Sequence, residues 1–259
     1  MSDVILQERR DDIATVILNR PEKLNALTLP MWQRLGETLR ALSADDTLRC
    51  IVIRGAGDKS FAPGNDIGEF ERERSNVEQA RRYGAVHHAA LAALRDCRHP
   101  LVALIKGICV GGGLEIAALC DIRVCGASSR FGIPINRLGL VLGLHEMQTL
   151  YSLVGKAVTL EILLEGRVFD AGEAKEKGLV QRVVPDDQVE NEAYATARRI
   201  ADGAPLVARW HKKFMRRLQD PTPISAAEVD EGYACYGTED FQIGYKSFLA
   251  KSQAKFKGR

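Results

Sequence analysis

The sequence contains no apolar run long enough to cross a membrane and no large excess of charge. Its longest apolar runs, such as residues 101–105, fall far short of the roughly 18 consecutive apolar residues that a membrane-spanning helix needs. Lys and Arg number 36 and Asp and Glu number 34, so the net charge is only +2 and would not attract nucleic acid or anionic lipid. The first residues lack the basic start and continuous apolar core of a signal peptide. We therefore expect a cytoplasmic protein with no nucleic-acid or membrane partner.

Paired cysteines and common nucleotide-binding motifs are also lacking. Six cysteines stand singly in mostly apolar segments and form no CxxC pair, which predicts reduced core residues rather than metal or redox sites. They are Cys50, Cys97, Cys109, Cys120, Cys125 and Cys235. The glycine run at residues 111–113 does not match GxGxxG, and no Lys-Ser or Lys-Thr pair follows it as a phosphate loop requires. The sequence thus predicts neither metal nor nucleotide cofactor, with a reactive thiol at Cys109 as an open alternative.

Hydrophobic patterning across the 259 residues predicts an α/β core. Apolar, β-branched runs at residues 50–53 and 101–105 are typical of strands buried on both faces, and helical stretches alternate with them. Such alternation favours a mainly parallel sheet with helical crossovers. The helical signal dominates towards the end of the chain, where residues 224–236 are one expected helix. We therefore expect a core over residues 1–200 and a helical C-terminal region over residues 201–259.

Two strand-to-loop-to-helix junctions point to chemistry. One strand leads into residues 61–67 and the other into residues 111–115, and each junction leaves unpaired backbone N–H groups at a helix start. If the two parent strands are neighbours, two N–H donors converge on one oxygen atom and form an oxyanion hole. By themselves, the three glycines serve tight helix–strand packing equally well.

Three segments, residues 20–27, 60–67 and 107–117, together resemble the crotonase superfamily, the enoyl-CoA hydratase/isomerase family. Shorter matches follow at residues 120–123, 131–134 and 171–180, so that the resemblance spans roughly residues 4–218. It implies a crotonase-like spiral of ββα units with a C-terminal helical trimerisation region, assembled as a homotrimer or as a hexamer of two trimers. It also implies an acyl-CoA substrate, in which coenzyme A is part of the substrate and not a separate cofactor.

The resemblance assigns roles to individual residues. The backbone N–H groups of Asn65 and Gly112 are expected to hold the thioester oxygen, and Glu115 matches a catalytic glutamate that follows the glycine run. The family's second catalytic glutamate is replaced by Ile135. Because isoleucine cannot transfer a proton, the usual two-carboxylate addition of water is not expected.

Two ionisable residues near a predicted helix start are candidates for the missing group. His145 is the stronger candidate, because a histidine can act as acid or base near neutral pH. The alternative is a solvated His145 beside a Glu146 that only complements the helix dipole. His87 and His88 occupy adjacent helical positions about 100° apart, so we expect that both cannot face one site and assign neither a role.

The matching segments also suggest contacts with coenzyme A. The candidate residues for these contacts are Lys23, Ala26, Ala62, Asp66 and Ile67. A surface lysine unconnected with binding is an equal alternative for Lys23, and Asp66 has the alternative of capping a helix.

The leading functional hypothesis is an acyl-CoA enzyme of the hydratase/isomerase type with one glutamate acid/base. Double-bond isomerisation, altered hydration, decarboxylation and hydrolysis all stay open. The alternative from another class is a CoA-binding protein that has lost catalysis, as Ile135 suggests. A serine hydrolase is a third possibility, but residues 126–130 depart from GxSxG at the last position.

Overall fold

Two sheets organise the chain, and the computed structural model describes residues 3–259. The larger sheet has six strands in the order β1-β2-β3-β5-β7-β10. Its strands are β1 (Ile5–Arg10), β2 (Ile13–Leu18), β3 (Cys50–Gly55), β5 (Leu101–Ile105), β7 (Ile122–Gly126) and β10 (Arg182–Val184). Only the β1–β2 hairpin is antiparallel; the other neighbours pair in parallel. The predicted α/β class and the parallel core are confirmed.

The smaller sheet was not expected from the sequence. Its four strands are β4 (Ser60–Ala62), β6 (Ile108–Val110), β8 (Arg130–Gly132) and β9 (Phe169–Asp170), in that order. Each is two or three residues long, which is too short to give a recognisable alternation of apolar and polar residues. β4, β6 and β8 pair in parallel, and β8 pairs antiparallel with β9.

Ten helices accompany the sheets within residues 3–259. They are α1 (Leu29–Ala44), α2 (Phe70–Glu73), α3 (Val77–Asp96), α4 (Gly112–Leu119), α5 (Leu144–Glu165), α6 (Ala171–Glu176), α7 (Val189–Ala201), α8 (Pro205–Arg217), α9 (Ala226–Glu231) and α10 (Glu239–Leu249). The Thr28 side chain caps α1 by accepting a hydrogen bond from the Met31 N–H. Helix α1 contacts α3, while α7 contacts β3, β5 and β7 on the larger sheet.

The C-terminal region differs from its prediction in one place. The single helix expected over residues 224–236 is wrong, because α9 ends before Gly232 and a separate 3-10 turn follows at Ala234–Gly237. Glycine lowers helix stability, and the apolar side chains here pack too little to offset it. Several of them are exposed, including Ile224, Val229, Tyr233, Tyr236 and Phe248.

The cysteines and the apolar segments agree with the sequence analysis. All six cysteines are free, and five of them are buried. Burial raises the pKa of the Cys109 thiol well above its usual value, so a reactive thiolate at this position is disfavoured. None of the helices within residues 3–259 combines the length and the apolar character that crossing a bilayer requires.

Candidate active site

The two predicted loops leave neighbouring strands of the smaller sheet. Strands β4 and β6 pair in parallel, with Ser60 opposite Ile108 and Ala62 opposite Cys109. Their parent strands β3 and β5 are also parallel neighbours in the larger sheet. The carboxyl ends of adjacent parallel strands lie at the same edge, so the loops that carry Asn65 and Gly112 emerge side by side.

Glycines let these loops come closer than any other residue would allow. Gly64 has a φ of +105°, and a Cβ added there would lie 3.1 Å from the Gly112 nitrogen. A Cβ on Gly113 would lie only 2.2 Å from the Ala62 carbonyl oxygen. The glycine run therefore serves close packing, and the same packing brings the Gly112 amide next to the 64–65 turn.

The Asn65 and Gly112 amides have no partner within their own elements. Leu27 forms a parallel bridge to Asn65 by donating to the Gly64 carbonyl and accepting from the Asp66 N–H. Because successive groups of an extended chain point in opposite directions, the Asn65 N–H faces away from Leu27. Gly112 is the first residue of α4, where an N–H has no intrahelical acceptor. Both residues line one cavity of about 310 Å³.

The side chain of Asn65 fixes the first of these loops. Its Oδ1 accepts hydrogen bonds from Trp32 Nε1 at 2.7 Å and from the Tyr83 hydroxyl at 3.2 Å. Burial raises the pKa of the Tyr83 phenol, so this hydroxyl keeps its proton and remains a donor. The buried Trp32 belongs to α1 and Tyr83 to α3, so two helices hold the Asn65 loop.

Glu115 faces the same cavity from the first turn of α4. Only 11% of its side chain is exposed, and its Oε2 lies 2.9 Å from Nε2 of His87. The His87 ring meets the Trp32 ring edge to face, with centroids 4.3 Å apart. Glu115 is therefore a nearly buried carboxylate beside the two amides, held in place by a histidine from α3.

A second carboxylate approaches this histidine from α5. The Glu146 side chain is 3% exposed, and its Oε1 lies 3.7 Å from His87 Nδ1 and 3.0 Å from His88 Nε2. The prediction that His87 and His88 cannot face one site is wrong. The Glu146 carboxylate lies between the two imidazole rings, and one nitrogen of each ring approaches it. Ile135 occupies the position where the family's second glutamate was expected. Ile135 and Glu146 line the same cavity.

His145 lies at a neighbouring cavity. It is exposed, and its ring centroid lies 5.6 Å from that of His88. The neighbouring cavity, of about 210 Å³, is lined by His145 and by both glutamates. Its other lining residues are mostly apolar and include Leu91, Leu114, Ile133, Leu142 and Leu150. Within the described part of the chain, His145 does not line the cavity that Asn65 and Gly112 line. Its catalytic role therefore stays a prediction.

One group of side chains within residues 3–259 has donor atoms close enough to hold a metal ion. His87, His88 and Glu146 each offer one ligand atom, and these atoms lie within 4.8 Å of one another. Imidazole and carboxylate are ligands that Zn²⁺ and several other divalent ions accept. The sequence did not indicate this group, because Glu146 lies on α5 and the two histidines lie on α3.

The residues predicted to contact coenzyme A surround the Asn65 loop. Asp66 caps the following 3-10 turn through the Gly68 N–H at 2.9 Å, which confirms the capping alternative. Its carboxylate also accepts from Arg20 at 2.6 Å, and this hydrogen bond lowers the pKa of Asp66. Lys23 and Ile67 are exposed, Ala26 is half-buried and Ala62 is buried. Their contacts with coenzyme A stay a prediction.

Comparison with known proteins identifies the family. The family model described as enoyl-CoA hydratase/isomerase matches residues 8–259. The chain is 32% identical to a "Probable enoyl-CoA hydratase" of Rhizobium meliloti, covering 99% of each chain. It is 31% identical to the short-chain-enoyl-CoA hydratase of Clostridium acetobutylicum, over 100% of this chain and 99% of that one.

A solved structure is similar over the whole fold. The crystal structure of an enoyl-CoA hydratase/carnithine racemase from Magnetospirillum magneticum is 50% identical and has a TM-score of 0.98. The match covers 100% of this chain and 97% of that chain. The predicted crotonase-like fold is thereby confirmed, and the chain belongs to the enoyl-CoA hydratase/isomerase family.

Proposed function

We propose that this protein is an acyl-CoA enzyme that stabilises a thioester enolate with the backbone N–H groups of Asn65 and Gly112. Glu115 serves as an acid/base at the carbon next to the thioester carbonyl. The observation that carries the proposal is the shared cavity, which Asn65, Gly112 and Glu115 all line. The relatives named above are called enoyl-CoA hydratases, which agrees with this class of substrate.

The chemistry follows from where charge develops. When a proton leaves the carbon beside the thioester, or a nucleophile adds to the conjugated double bond, negative charge moves onto the carbonyl oxygen. Fixed N–H dipoles stabilise that charge without having to reorient, and the loss of one such donor typically costs ~3 kcal/mol. Glu115 lies one turn from Gly112, where a carboxylate can exchange a proton with the adjacent carbon.

The two cavities suggest where the acyl group and the coenzyme A portion of the substrate each bind. The apolar cavity beside Glu115 suits the acyl group, because its lining is mostly leucine and isoleucine. The coenzyme A portion would lie along the Asn65 loop, near Lys23, Ala26, Ala62, Asp66 and Ile67. Exposed apolar side chains of the C-terminal region, such as Phe248, support a homotrimer or hexamer as part of the proposal. A cytoplasmic location stays a prediction.

The test is turnover of a panel of CoA esters by wild type and by Glu115→Gln. The panel includes 2-enoyl, 3-enoyl, malonyl-type and saturated acyl-CoA esters, so that hydration, isomerisation, decarboxylation and hydrolysis are each detected. We expect wild type to convert at least one ester and Glu115→Gln to lose 100-fold or more of that activity. Glu176→Gln, at an exposed carboxylate on α6, is the matched control. Equal turnover by wild type and Glu115→Gln would contradict the role of Glu115.

A non-catalytic CoA-binding protein is the second candidate, because Ile135 lines the cavity at the position where a carboxylate was expected. Calorimetry with the same esters separates it from the first. Binding without turnover of any ester favours this candidate, whereas turnover of one ester excludes it.

A further inference from the structure

We propose that Glu146 is a second catalytic carboxylate of the cavity, replacing the one that Ile135 cannot supply, and that His87 passes a proton between Glu146 and Glu115. The inference rests on the proposed function and deepens it. It names hydration of a 2-enoyl-CoA, or its reversal from a 3-hydroxyacyl-CoA, as the reaction of this site.

The burial of Glu146 is the first observation. Its side chain is 3% exposed, and neither carboxylate oxygen accepts a hydrogen bond from residues 3–259, although Nε2 of His88 lies 3.0 Å from Oε1. A buried carboxylate without hydrogen bonds lowers the stability of the folded protein, because its lost hydration is not replaced. A glutamate that only complements a helix dipole would point into water and avoid this cost. Glu146 is instead one of the residues that line the cavity, and within residues 3–259 no hydrogen-bond donor satisfies either of its oxygens.

The backbone makes room for this carboxylate. Glu146 is the third residue of α5, and Gly143 precedes the helix as its cap. A Cβ added to Gly143 would lie 2.2 Å from Oε2 of Glu146. Gly143 has a φ of −61°, which any residue adopts, so the glycine is required by the space that the carboxylate occupies and not by the backbone conformation.

His87 connects the two carboxylates. Its Nε2 lies 2.9 Å from Glu115 Oε2, and its Nδ1 lies 3.7 Å from Glu146 Oε1. Trp32 packs against the imidazole ring and restricts its rotation. The ring, held by a buried side chain, therefore lies between the two carboxylates and is hydrogen-bonded to Glu115; proton transfer between His87 and Glu146 requires their 3.7 Å separation to shorten.

Two carboxylates allow a balanced addition of water. One carboxylate accepts a proton from water while the water oxygen forms its bond to C3 of the enoyl group. The C2–C3 π electrons move toward the thioester, and the Asn65 and Gly112 amides hold the enolate oxygen. The second of the two side chains, in its carboxylic acid form, gives its proton to C2. Transfer of a proton through His87, from the first side chain to the second, then restores the starting state. Isomerisation needs only one such group, whereas addition of water uses both.

The experiment measures hydration of 2-butenoyl-CoA by variants at position 146. Glu146→Gln keeps the shape of the side chain and is expected to lower kcat at least 100-fold with KM changed less than threefold. Its Tm is expected to equal or exceed that of wild type, because a buried carboxyl group without a hydrogen-bond donor is replaced by an amide. Glu146→Asp keeps a carboxylate and is expected to retain more activity than Glu146→Gln. If Glu146 had only a structural role, Glu146→Gln would be more active than Glu146→Asp, because glutamine is the closer isostere of glutamate. That result would overturn the proposal.

Two further variants test position and coupling. Gly143→Ala displaces the Glu146 carboxylate without removing it and is expected to lower kcat at least 10-fold. The control is Gly237→Ala, where nothing lies within 4 Å of the added Cβ, and its kcat is expected to stay at the wild-type value. His87→Gln is expected to lower kcat strongly in wild type but by less than threefold in Glu146→Gln, because both changes interrupt one path. Independent, multiplying effects would overturn the role of His87.

The outcomes separate this inference from the proposed function and from a metal site. If wild type converts no ester, or Glu115→Gln is fully active, the proposed function fails. If Glu115→Gln is inactive and Glu146→Gln matches wild type, only the present inference fails. Dialysis against EDTA is expected to leave hydration unchanged. Loss of activity that Zn²⁺ or Mn²⁺ restores would overturn the inference and assign His87, His88 and Glu146 to a metal ion.

Discussion

Trp32 Nε1 donates a 2.7 Å hydrogen bond to Oδ1 of Asn65, which joins helix α1 to the loop whose backbone amide faces the cavity. Trp32 is fully buried and also packs against His87. One side chain of the helical layer therefore positions both the amide donor and the histidine beside Glu115. The positions of the proposed catalytic groups depend on the packing of α1 and α3 as much as on the sheet.

Trp32→Phe tests this connection. The change keeps the aromatic contact with His87 and removes the hydrogen bond to Asn65, so we expect about 1–3 kcal/mol less stability and a fall in kcat of about 10-fold. Tyr83→Phe removes the longer hydrogen bond, of 3.2 Å, and should lower both the stability and kcat by less than Trp32→Phe does. Urea unfolding and steady-state kinetics measure the two effects, and a larger kinetic loss in Tyr83→Phe than in Trp32→Phe would contradict the assignment.

Gly64→Ala is expected to damage the oxyanion hole directly. The added Cβ would lie 3.1 Å from the Gly112 nitrogen, where the proposed thioester oxygen binds, and kcat/KM should fall at least ~100-fold. The positive φ costs about 1–3 kcal/mol of stability in addition. Gly178→Ala is the matched control, since Gly178 has a φ of +74° and nothing within 4 Å of its added Cβ. If the control loses as much activity, backbone strain rather than access to the amide is the cause.

His99 predicts a loss of stability in acid. It is fully buried with neither ring nitrogen hydrogen-bonded to residues 3–259. Burial, assisted by Arg209 and Arg98, lowers the pKa of its imidazole from 6.5 to about 4. The unfolded chain therefore binds a proton that the folded one does not, and up to about 3 kcal/mol of stability is lost as the pH falls from 6.5 towards 4.

His99→Leu removes this dependence. Its free energy of unfolding in urea should fall less between pH 7 and pH 4.5 than that of wild type. His211→Gln, at an exposed histidine, should retain the wild-type slope. Identical slopes in wild type and His99→Leu would show that His99 is not the titrating group.

The size of the apolar cavity should set the acyl chain length. Ala118 lines this cavity, which has a volume of about 210 Å³, and Ala118→Leu adds three carbon atoms to its wall. We expect kcat/KM for the longer of two active acyl-CoA esters to fall at least 10-fold, with the shorter ester affected less than threefold. Competition between the two esters in one reaction measures this ratio directly. An unchanged ratio would place the acyl group elsewhere.

Local pattern was enough to predict most of the secondary structure. The buried strands β3 and β5 and the alternation of strands with helices follow from the spacing of apolar residues within a few positions. The smaller sheet was missed because strands of two or three residues carry no periodic signal. The helix expected over residues 224–236 was wrong because helical pattern in that region is not supported by packing.

The sequence by itself determined the family, the two loop motifs and the absence of a carboxylate at Ile135, because these are properties of residue order. Only the tertiary structure decided what surrounds Glu115. Helices α3 and α5 each contact α4, and this packing brings His87, His88 and Glu146 together from distant parts of the chain. Helical geometry fixes the direction of a side chain within its own helix, but the position of a carboxylate on another helix depends on how the two helices pack, which no local pattern records.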